Sequence, residues 1–173
     1  MNEKKITIGN VCFIQNQKNQ KVLLLKRNRA PMKDLYTGVG GKMEFDEDTY
    51  SSCKREVKEE TGMEISNLSL RAILKTILAG DNSAWLLFVY TAETDSEDFI
   101  QCPEGELQWF DLDSIDSLPF PGFLREILPY VFNKECFLEG SILYDEQWNI
   151  LHKKLHIQET PLFSSSAQSR KFF

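Results

Sequence analysis

A glycine cluster that leads into a glutamate-rich stretch is the feature that most constrains the fold of this chain. The run from Gly38 to Gly41 is the densest group of glycines in the sequence, and it calls for unusual backbone angles or a close approach to the backbone. The segment from Asp46 to Thr61 is predicted to be a helix, because acidic residues fill its first turn and Gly62 follows as a stop signal. A tight loop followed by a helix is therefore expected.

Three glutamates of this predicted helix share one face. Glu56, Glu59 and Glu60 have the spacing i, i+3, i+4, which places them within an arc of about 100°. Their repulsion would destabilise an isolated helix, and a bound divalent cation would remove that penalty. Mg²⁺ takes oxygen ligands and is commonly held by carboxylates together with substrate phosphates. The alternative is a solvated acidic surface without a ligand, since charge runs usually face water.

An apolar stripe borders the acidic face of the helix. Tyr50, Cys53 and Val57 have the spacing i, i+3, i+7, so we expect them to pack against a sheet. The three carboxylates would then lie at the edge of a cleft rather than in open solvent.

Alternating apolar segments on both sides of the helix predict a sheet. Strands are expected at 6–14, 22–25, 68–78, 85–91 and 107–110, with a second helix at 123–132 and a terminal hairpin at 137–159. This mixture predicts an α/β sandwich with helices on both faces of a mixed sheet. We expect residues 1–159 to form one domain and residues 160–173 to be a flexible tail.

Charge and cysteine content restrict the partners and the location. The chain of 173 residues has a formal net charge of −6 and thus no long-range attraction for a nucleic acid polymer. A small polyanion can still bind if a cation bridges its phosphates to carboxylates. No apolar run reaches the ~20 residues that cross a membrane, and no signal peptide is evident. Four scattered cysteines favour reduced thiols and a cytoplasmic location.

The stretch from Gly41 to Met63 resembles the Nudix box. The family pattern is G-x5-E-x7-R-E-U-x-E-E-x-G-U, where U is an aliphatic-type residue, and every defined position is matched. Residues drawn independently at average usage would match at about one start position in 10⁹. The chain is therefore identified as a member of the Nudix hydrolase family. Membership implies a Nudix-type α/β/α sandwich with a mixed β-sheet and a catalytic loop–helix–loop.

The resemblance implies a metal site. In the family this loop–helix–loop holds Mg²⁺ or Mn²⁺, so Glu56, Glu59, Glu60 and the Gly41 carbonyl would be its ligands. Glu56 is also the general base proposed in some members, whereas others use a glutamate on a downstream loop.

Further site residues are expected from the family resemblance or from their position next to predicted strands. We expect Glu104 to be the downstream glutamate, with Glu106 second, because both precede the predicted strand at 107–110. Glu47 and Arg55 would form an ion pair that braces the motif, as in the family. The candidate residues for binding the phosphates are Arg27 and Lys42. Thr37 is a further candidate for binding the substrate. The aromatic residues that could stack a base are Phe120, Tyr36, Trp109 and Phe123.

The implied reaction is hydrolysis of a phosphoanhydride bond in a nucleoside diphosphate-linked substrate. A metal-activated water would attack phosphorus while a carboxylate takes its proton. The segment from Leu35 to Glu44 resembles the MutT-like subgroup, which favours a nucleoside triphosphate such as 8-oxo-dGTP, cleaved to monophosphate and pyrophosphate. Two departures are Thr37, where an Asn is common, and the lack of a carboxylate near Pro121 to Phe123, where one branch reads the purine.

Several alternatives stay open at this point. ADP-ribose or a dinucleoside polyphosphate could be the substrate. A non-catalytic nucleotide-sensing domain would be expected to lose box glutamates, whereas this sequence keeps all of them. An acidic protein-interaction module would need no metal. A homodimer is also left open.

Overall fold

Residues 4–159, which a computed structural model describes, contain eight strands and two α-helices. The elements are β1 (Lys5–Asn16), β2 (Lys21–Arg27), β3 (Tyr36–Thr37), α1 (Thr49–Thr61), β4 (Ser66–Leu78), β5 (Ser83–Thr94), β6 (Gly105–Asp111), a 3₁₀ helix (Leu112–Ser117), α2 (Gly122–Val131), β7 (Cys136–Tyr144) and β8 (Ile150–Glu159).

All eight strands belong to one mixed sheet. Its order is β3-β2-β1-β5-β4-β7-β8, and β6 pairs with β2. β1 is parallel to β5 and β4 is parallel to β7, whereas the other neighbours are antiparallel. β1 contacts β2 only over residues 14–16, and its earlier part forms bridges to the glycine run instead, pairing Gly9 with Lys42 and Cys12 with Val39. The glycine run is thereby held against the centre of the sheet.

The two faces of the sheet carry separate apolar cores. Successive strand residues point to opposite faces, so Phe13 and Leu24 join one core while Ile14 and Leu23 join the other. Helix α2 supplies buried residues to the first core, and α1 supplies them to the second. The predicted α/β/α sandwich around a mixed sheet is confirmed.

Helix α1 begins at Thr49, later than the predicted start at Asp46. Asp48 is the N-cap, and its carboxylate accepts a hydrogen bond from the Ser51 amide at 2.9 Å. The acidic residues expected inside the first turn therefore lie at or before the cap, where they still face the positive end of the helix. Gly62 ends the helix with φ of 71°, as the stop signal predicted.

The apolar stripe of α1 is shorter than predicted. Cys53 and Val57 are fully buried against the sheet, but Tyr50 is 50% exposed. Tyr50 lies in the first turn, and its ring faces the Lys54 ammonium at 6.0 Å rather than the core. The expectation that Tyr50 packs on the sheet is wrong.

The end of the described chain is a hairpin. β7 and β8 pair antiparallel from Cys136 opposite Glu159 to Tyr144 opposite Ile150, so the predicted terminal hairpin is present. The predicted tail at 160–173 lies outside the described residues. Within residues 4–159, no helix has both the length and the apolar character needed to cross a bilayer.

Candidate active site

Gly40 and Gly41 approach β1 and α1 too closely to carry side chains. Gly40 has φ of +140°, and a Cβ built on it would lie 2.4 Å from the Asn10 carbonyl oxygen. A Cβ built on Gly41 would lie 2.6 Å from the Glu56 carboxylate. The Gly41 carbonyl accepts a hydrogen bond from the Asn10 amide at 2.9 Å. The close backbone approach predicted for this run is therefore present, and it lies next to a glutamate of the motif.

Glu60 is buried behind this loop. Only 6% of the residue is exposed, and its carboxylate accepts a hydrogen bond from the Gly40 amide at 2.8 Å. Burial raises the pKa of Glu60 to about 7, with the Gly40 amide opposing the shift and the negative charges of Glu104 and Glu56 adding to it. The positive charge of Arg27 also opposes the shift, but burial and the neighbouring carboxylates outweigh it.

Glu56 is partly buried and lines a cavity. Burial is the main cause that raises its pKa, and the negative charges of Glu59 and Glu104 add to the effect. Arg55 opposes the shift, donating a hydrogen bond from Nη1 to Glu56 Oε1 at 2.8 Å.

The third glutamate does not converge with the other two. The Glu59 side chain is 61% exposed, and it contacts Arg55 Nη1 at 3.2 Å. Across residues 4–159, no group of three acidic, histidine or cysteine side chains is already arranged to hold a metal ion. The expectation that all three glutamates line one cleft is therefore corrected, because Glu59 turns toward Arg55 and solvent.

The donor set nevertheless fits a cation. The negative charge of Glu104 raises the pKa of both Glu56 and Glu60, and the charge of Glu56 raises that of Glu60 further, so the three carboxylates lie close together. A divalent cation would relieve this repulsion. The Gly41 carbonyl has a second lone pair beyond the one bound by the Asn10 amide, so it can also serve as a ligand.

Glu47 and Arg55 form the expected ion pair between loop and helix. Arg55 Nε donates to Glu47 Oε1 at 2.6 Å, and Nη2 donates to Oε2 at 2.8 Å. The same Nη2 reaches the Lys42 carbonyl at 3.2 Å. The hydrogen bond from Arg55 lowers the pKa of Glu47 to about 2 and raises the pKa of Arg55 above its usual value. These contacts join the segment before α1, the helix and the glycine loop.

Glu104 is held by two arginines at the end of β2. Arg27 Nη1 donates to Glu104 Oε2 at 3.2 Å, and Arg29 Nη2 donates to Oε1. The Asn28 amide binds the Glu104 carbonyl at 3.1 Å, so the two loops are also joined through backbone. Glu104 and Arg27 face the same cavity as Glu56, whereas Glu106 is exposed on β6 and does not line it. Of the two downstream candidates, Glu104 lines the cavity and Glu106 does not.

A cavity of about 510 Å³ connects these groups, a volume within the range of small-molecule sites. Its polar part comes from the glycine run, Glu56 and Glu104, and the ends of β2 and β3. Its other wall comes from the sheet face that carries α2. The lining residues on that second wall include Thr76, Trp85, Leu87, Phe123, Tyr144 and Trp148.

Three of the four expected substrate-binding residues line the cavity, and Phe120 does not. Arg27, Lys42 and Thr37 line the cavity. The Lys42 ammonium lies 5.9 Å from the centre of the Trp85 ring, and the Thr37 hydroxyl donates to the Gly38 carbonyl at 2.8 Å.

Three of the aromatics expected to stack a base do not line the cavity. Tyr36 packs against the α2-side core. Phe120 is 6% exposed and belongs to the α2-side core, where its ring lies 6.4 Å from that of Tyr36. It is not among the residues that line the cavity. Trp109 packs on the α1-side core, and its Nε1 donates to the Glu97 carbonyl at 2.9 Å. None of the three is positioned for the base stacking expected of it, because each is held in packing away from the cavity.

Sequence reasoning missed Arg29 and Asn10. Arg29 follows Arg27 by two positions, and in the fold both arginines reach Glu104. Asn10 interrupts the apolar part of β1, and a polar residue inside a buried strand could have been the signal. It is 3% exposed, and its Nδ2 donates to Ser52 Oγ at 3.1 Å.

Comparisons with known proteins agree with this architecture. The NUDIX domain family model matches residues 5–131. A Bacillus subtilis relative named "Uncharacterized Nudix hydrolase YvcI" is 32% identical over 151 residues, covering 85% of this chain and 92% of that protein. An "Oxidized purine nucleoside triphosphate hydrolase" from Danio rerio is 26% identical, covering 68% of this chain and 76% of that protein. The crystal structure of a MutT protein from Bacillus halodurans has a TM-score of 0.76 and 28% identity, covering 86% of this chain and 97% of that one.

A mixed sheet between two helix layers, with a glycine loop set against a glutamate helix, defines a hydrolase of pyrophosphate bonds in nucleoside diphosphate-linked substrates. The chain belongs to the Nudix family, and within it the chain is MutT-like. Members of this family generally use divalent metal ions.

Proposed function

We propose that the protein hydrolyses a nucleoside triphosphate to the monophosphate and pyrophosphate in the presence of Mg²⁺, with 8-oxo-dGTP as the leading candidate substrate. The observation that carries the proposal is one cavity lined by both the carboxylate of Glu56 and the guanidinium of Arg27. A polyphosphate needs positive side chains for its oxygens and carboxylates that bind its metal ion. The name of the Danio rerio relative supports an oxidised purine.

The residues that would hold Mg²⁺ are Glu56, Glu60 and the Gly41 carbonyl, with Glu59 joining after a side-chain rotation. That rotation is open to Glu59 because most of its side chain is exposed and Arg55 is its charged partner. When bound, Mg²⁺ neutralises phosphate oxygens and lowers the pKa of a coordinated water. Mn²⁺ has similar ligand preferences and is expected to substitute.

Arg27 and Arg29 are proposed to bind the phosphates. In this structure both arginines bind the Glu104 carboxylate. A guanidinium can bind two oxygens of a phosphate in the same way, and the phosphate has the larger negative charge. Substrate therefore competes with Glu104 for the two arginines. Lys42 is close enough to the cavity to add a further positive charge.

Glu56 is proposed as the general base, with Glu104 as the second candidate. Burial raises the pKa of Glu56, and a carboxylate of raised pKa is a better proton acceptor. Arg55 and Glu47 do not touch the substrate in this scheme. Arg55 positions Glu56 by donating a hydrogen bond to its Oε1, and Glu47 holds Arg55 in place.

The test is a nucleotide panel with Mg²⁺, measured by pyrophosphate release and product chromatography. The panel contains canonical and oxidised nucleoside triphosphates, ADP-ribose and a dinucleoside polyphosphate. Pyrophosphate and monophosphate from a triphosphate support the proposal. Cleavage of ADP-ribose alone would contradict the substrate class. Metal-dependent binding without turnover would indicate a nucleotide sensor, and no metal-dependent binding would indicate an interaction module.

A matched pair of variants separates the site from general charge effects. Glu56→Gln is expected to abolish most turnover. Glu64→Gln removes a glutamate that is exposed and pairs with Lys58, so it should leave turnover unchanged.

The location we propose is the cytoplasm, which the four buried, free cysteines support.

A further inference from the structure

The terminal hairpin contributes aromatic residues to the cavity wall. The family model matches residues 5–131, so the hairpin formed by β7 and β8 lies beyond the matched region. Tyr144 at the end of β7 and Trp148 in the following turn nevertheless line the same cavity as Glu56 and Arg27. Neither residue belongs to the glutamate motif.

Three rings form a continuous surface on this wall. Tyr144 and Trp148 are stacked, with ring centres 5.0 Å apart and planes 20° apart. The Phe123 ring from α2 lies 5.4 Å from Tyr144 and 6.0 Å from Trp148. Phe123 and Tyr144 are buried, whereas Trp148 is half-buried and keeps part of its surface open. We call these three residues the aromatic wall.

The turn holds Trp148 in an uncommon backbone conformation. Its φ is +67°, a region that bulky residues rarely adopt and that persists only where the surroundings impose it. Asp145 closes the turn by accepting hydrogen bonds from the Gln147 and Asn149 amides, both at 2.9 Å. A Cβ built on Gly122 would lie 2.1 Å from the Trp148 carbonyl oxygen, so the turn also sits directly on the start of α2. The position of the indole is therefore set before any ligand binds.

A polar group stands beside the aromatic wall. Thr76 is 2% exposed and lines the cavity next to the Tyr144 hydroxyl. Asn10 also lines the cavity, but its side chain lies toward α1, where Nδ2 donates to Ser52 Oγ and Oδ1 lies beside Gly40. Thr76 is therefore the polar side chain that the wall can present to a ligand.

We propose that the aromatic wall of Phe123, Tyr144 and Trp148 stacks the purine base of the nucleotide substrate, with Thr76 facing the edge of the base. A planar heterocycle suits such a surface, because stacking on aromatic rings tolerates different bases and grows with ring area. Polar groups in an otherwise apolar wall can discriminate one base edge from another. The proposal rests on the proposed function, since it assumes that the polyphosphate lies near Glu56 and Arg27.

The first experiment measures kinetics of Trp148→Ala and Trp148→Phe, with Trp109→Phe as the control on the opposite face of the sheet. For a purine nucleoside triphosphate, Trp148→Ala is expected to lower kcat/KM about 10- to 100-fold, mainly through KM. Trp148→Phe should recover most of the loss. The inhibition constant of inorganic tripolyphosphate, which has no base, should not change. Equal weakening of nucleotide and tripolyphosphate, or no weakening of either, would overturn the stacking role.

A second experiment does not depend on turnover. Because Trp85 also lines the cavity, all variants in this experiment carry Trp85→Phe. Titration of this background with a non-hydrolysable nucleoside triphosphate analogue and Mg²⁺ should quench tryptophan fluorescence, and it should do so with or without Trp109→Phe. Trp148→Phe should lose most of that quenching. Quenching that persists in Trp148→Phe, or is missing in the Trp85→Phe background, would refute the aromatic wall as the base site. If the panel nucleotides are not hydrolysed but the quenching pattern holds, the proposed reaction fails while the base site stands.

Discussion

The Glu56 carboxylate occupies the space that a side chain at position 41 would need. A Cβ on Gly41 would lie 2.6 Å from Glu56 Oε2 and 2.7 Å from Oε1. The glycine therefore does more than permit a turn. It allows the loop carbonyl and the helix carboxylate to face one small volume, which is the arrangement that a shared metal ion requires.

Gly41→Ala is expected to reduce turnover while the fold is retained. The methyl group must push the end of the Glu56 side chain aside, and a displacement of about 1 Å in a catalytic group can cost roughly 100-fold in rate. Steady-state kinetics and thermal unfolding measure the two effects. Gly80→Ala is the matched control, because Gly80 has φ of +82° and nothing within 4 Å. It should lower the melting temperature without changing kcat. Unchanged kcat in Gly41→Ala would contradict this reading of the close contact.

The Glu47–Arg55 pair is expected to make stability depend on pH in the acidic range. Hydrogen bonding to Arg55 lowers the folded pKa of Glu47 from 4.5 to about 2. A lowered folded pKa means that the pair stabilises the fold fully above about pH 4.5, and that this contribution is lost as pH falls toward 2.

The comparison is wild type against Glu47→Gln in urea unfolding at several pH values. The difference in unfolding free energy should be largest at neutral pH and should shrink between about pH 4.5 and 2. A difference that stays constant across this range would show that the loss came from packing rather than from the ion pair.

Mg²⁺ is expected to raise the melting temperature through Glu56 and Glu60. A ligand that binds only the folded state at about 100 times its Kd adds about 2.7 kcal/mol of stability. Glu56→Gln and Glu60→Gln should each remain folded without metal and lose most of the Mg²⁺-dependent shift. Glu64→Gln should keep the full shift. If both site variants keep the Mg²⁺-dependent shift, Glu56 and Glu60 do not bind the metal ion. Calorimetry of Mg²⁺ binding to the same variants is an independent check.

Arg27 and Glu104 are expected to affect different kinetic parameters. Arg27→Ala removes a charged hydrogen bond to phosphate, worth about 1.5–3 kcal/mol, so KM for the triphosphate should rise roughly 10- to 100-fold. The Glu104 carboxylate competes with the substrate phosphate for the Arg27 guanidinium. Glu104→Gln weakens this competition, so KM should fall or stay constant.

The general base is identified by comparing kcat. Removing a general base costs roughly 10²- to 10⁴-fold, and we expect this loss in Glu56→Gln. The loss of kcat in Glu104→Gln should be smaller. If Glu104→Gln has the larger loss, Glu104 is the base and Glu56 serves the metal.

Local patterns in the chain were sufficient for the fold class and for the helix that carries the glutamates, and the resemblance to the family motif implied the Glu47–Arg55 pair. These features depend on contacts between residues that are close in sequence, where the helical repeat and the glycine conformations restrict the geometry. The direction of the Glu59 side chain could not be predicted from the sequence. This side chain is largely exposed, so it can face Arg55, solvent or a metal ion.

The cavity depends on tertiary structure alone. Trp148 and Glu56 are far apart in the chain, and they meet in one cavity only because β7 joins β4 and the turn after it sits on α2. Phe120 was a reasonable aromatic candidate by composition, yet the strand order leaves it in the core. Long-range pairing of strands is set by the summed burial of many side chains, and no short segment of the sequence contains that information.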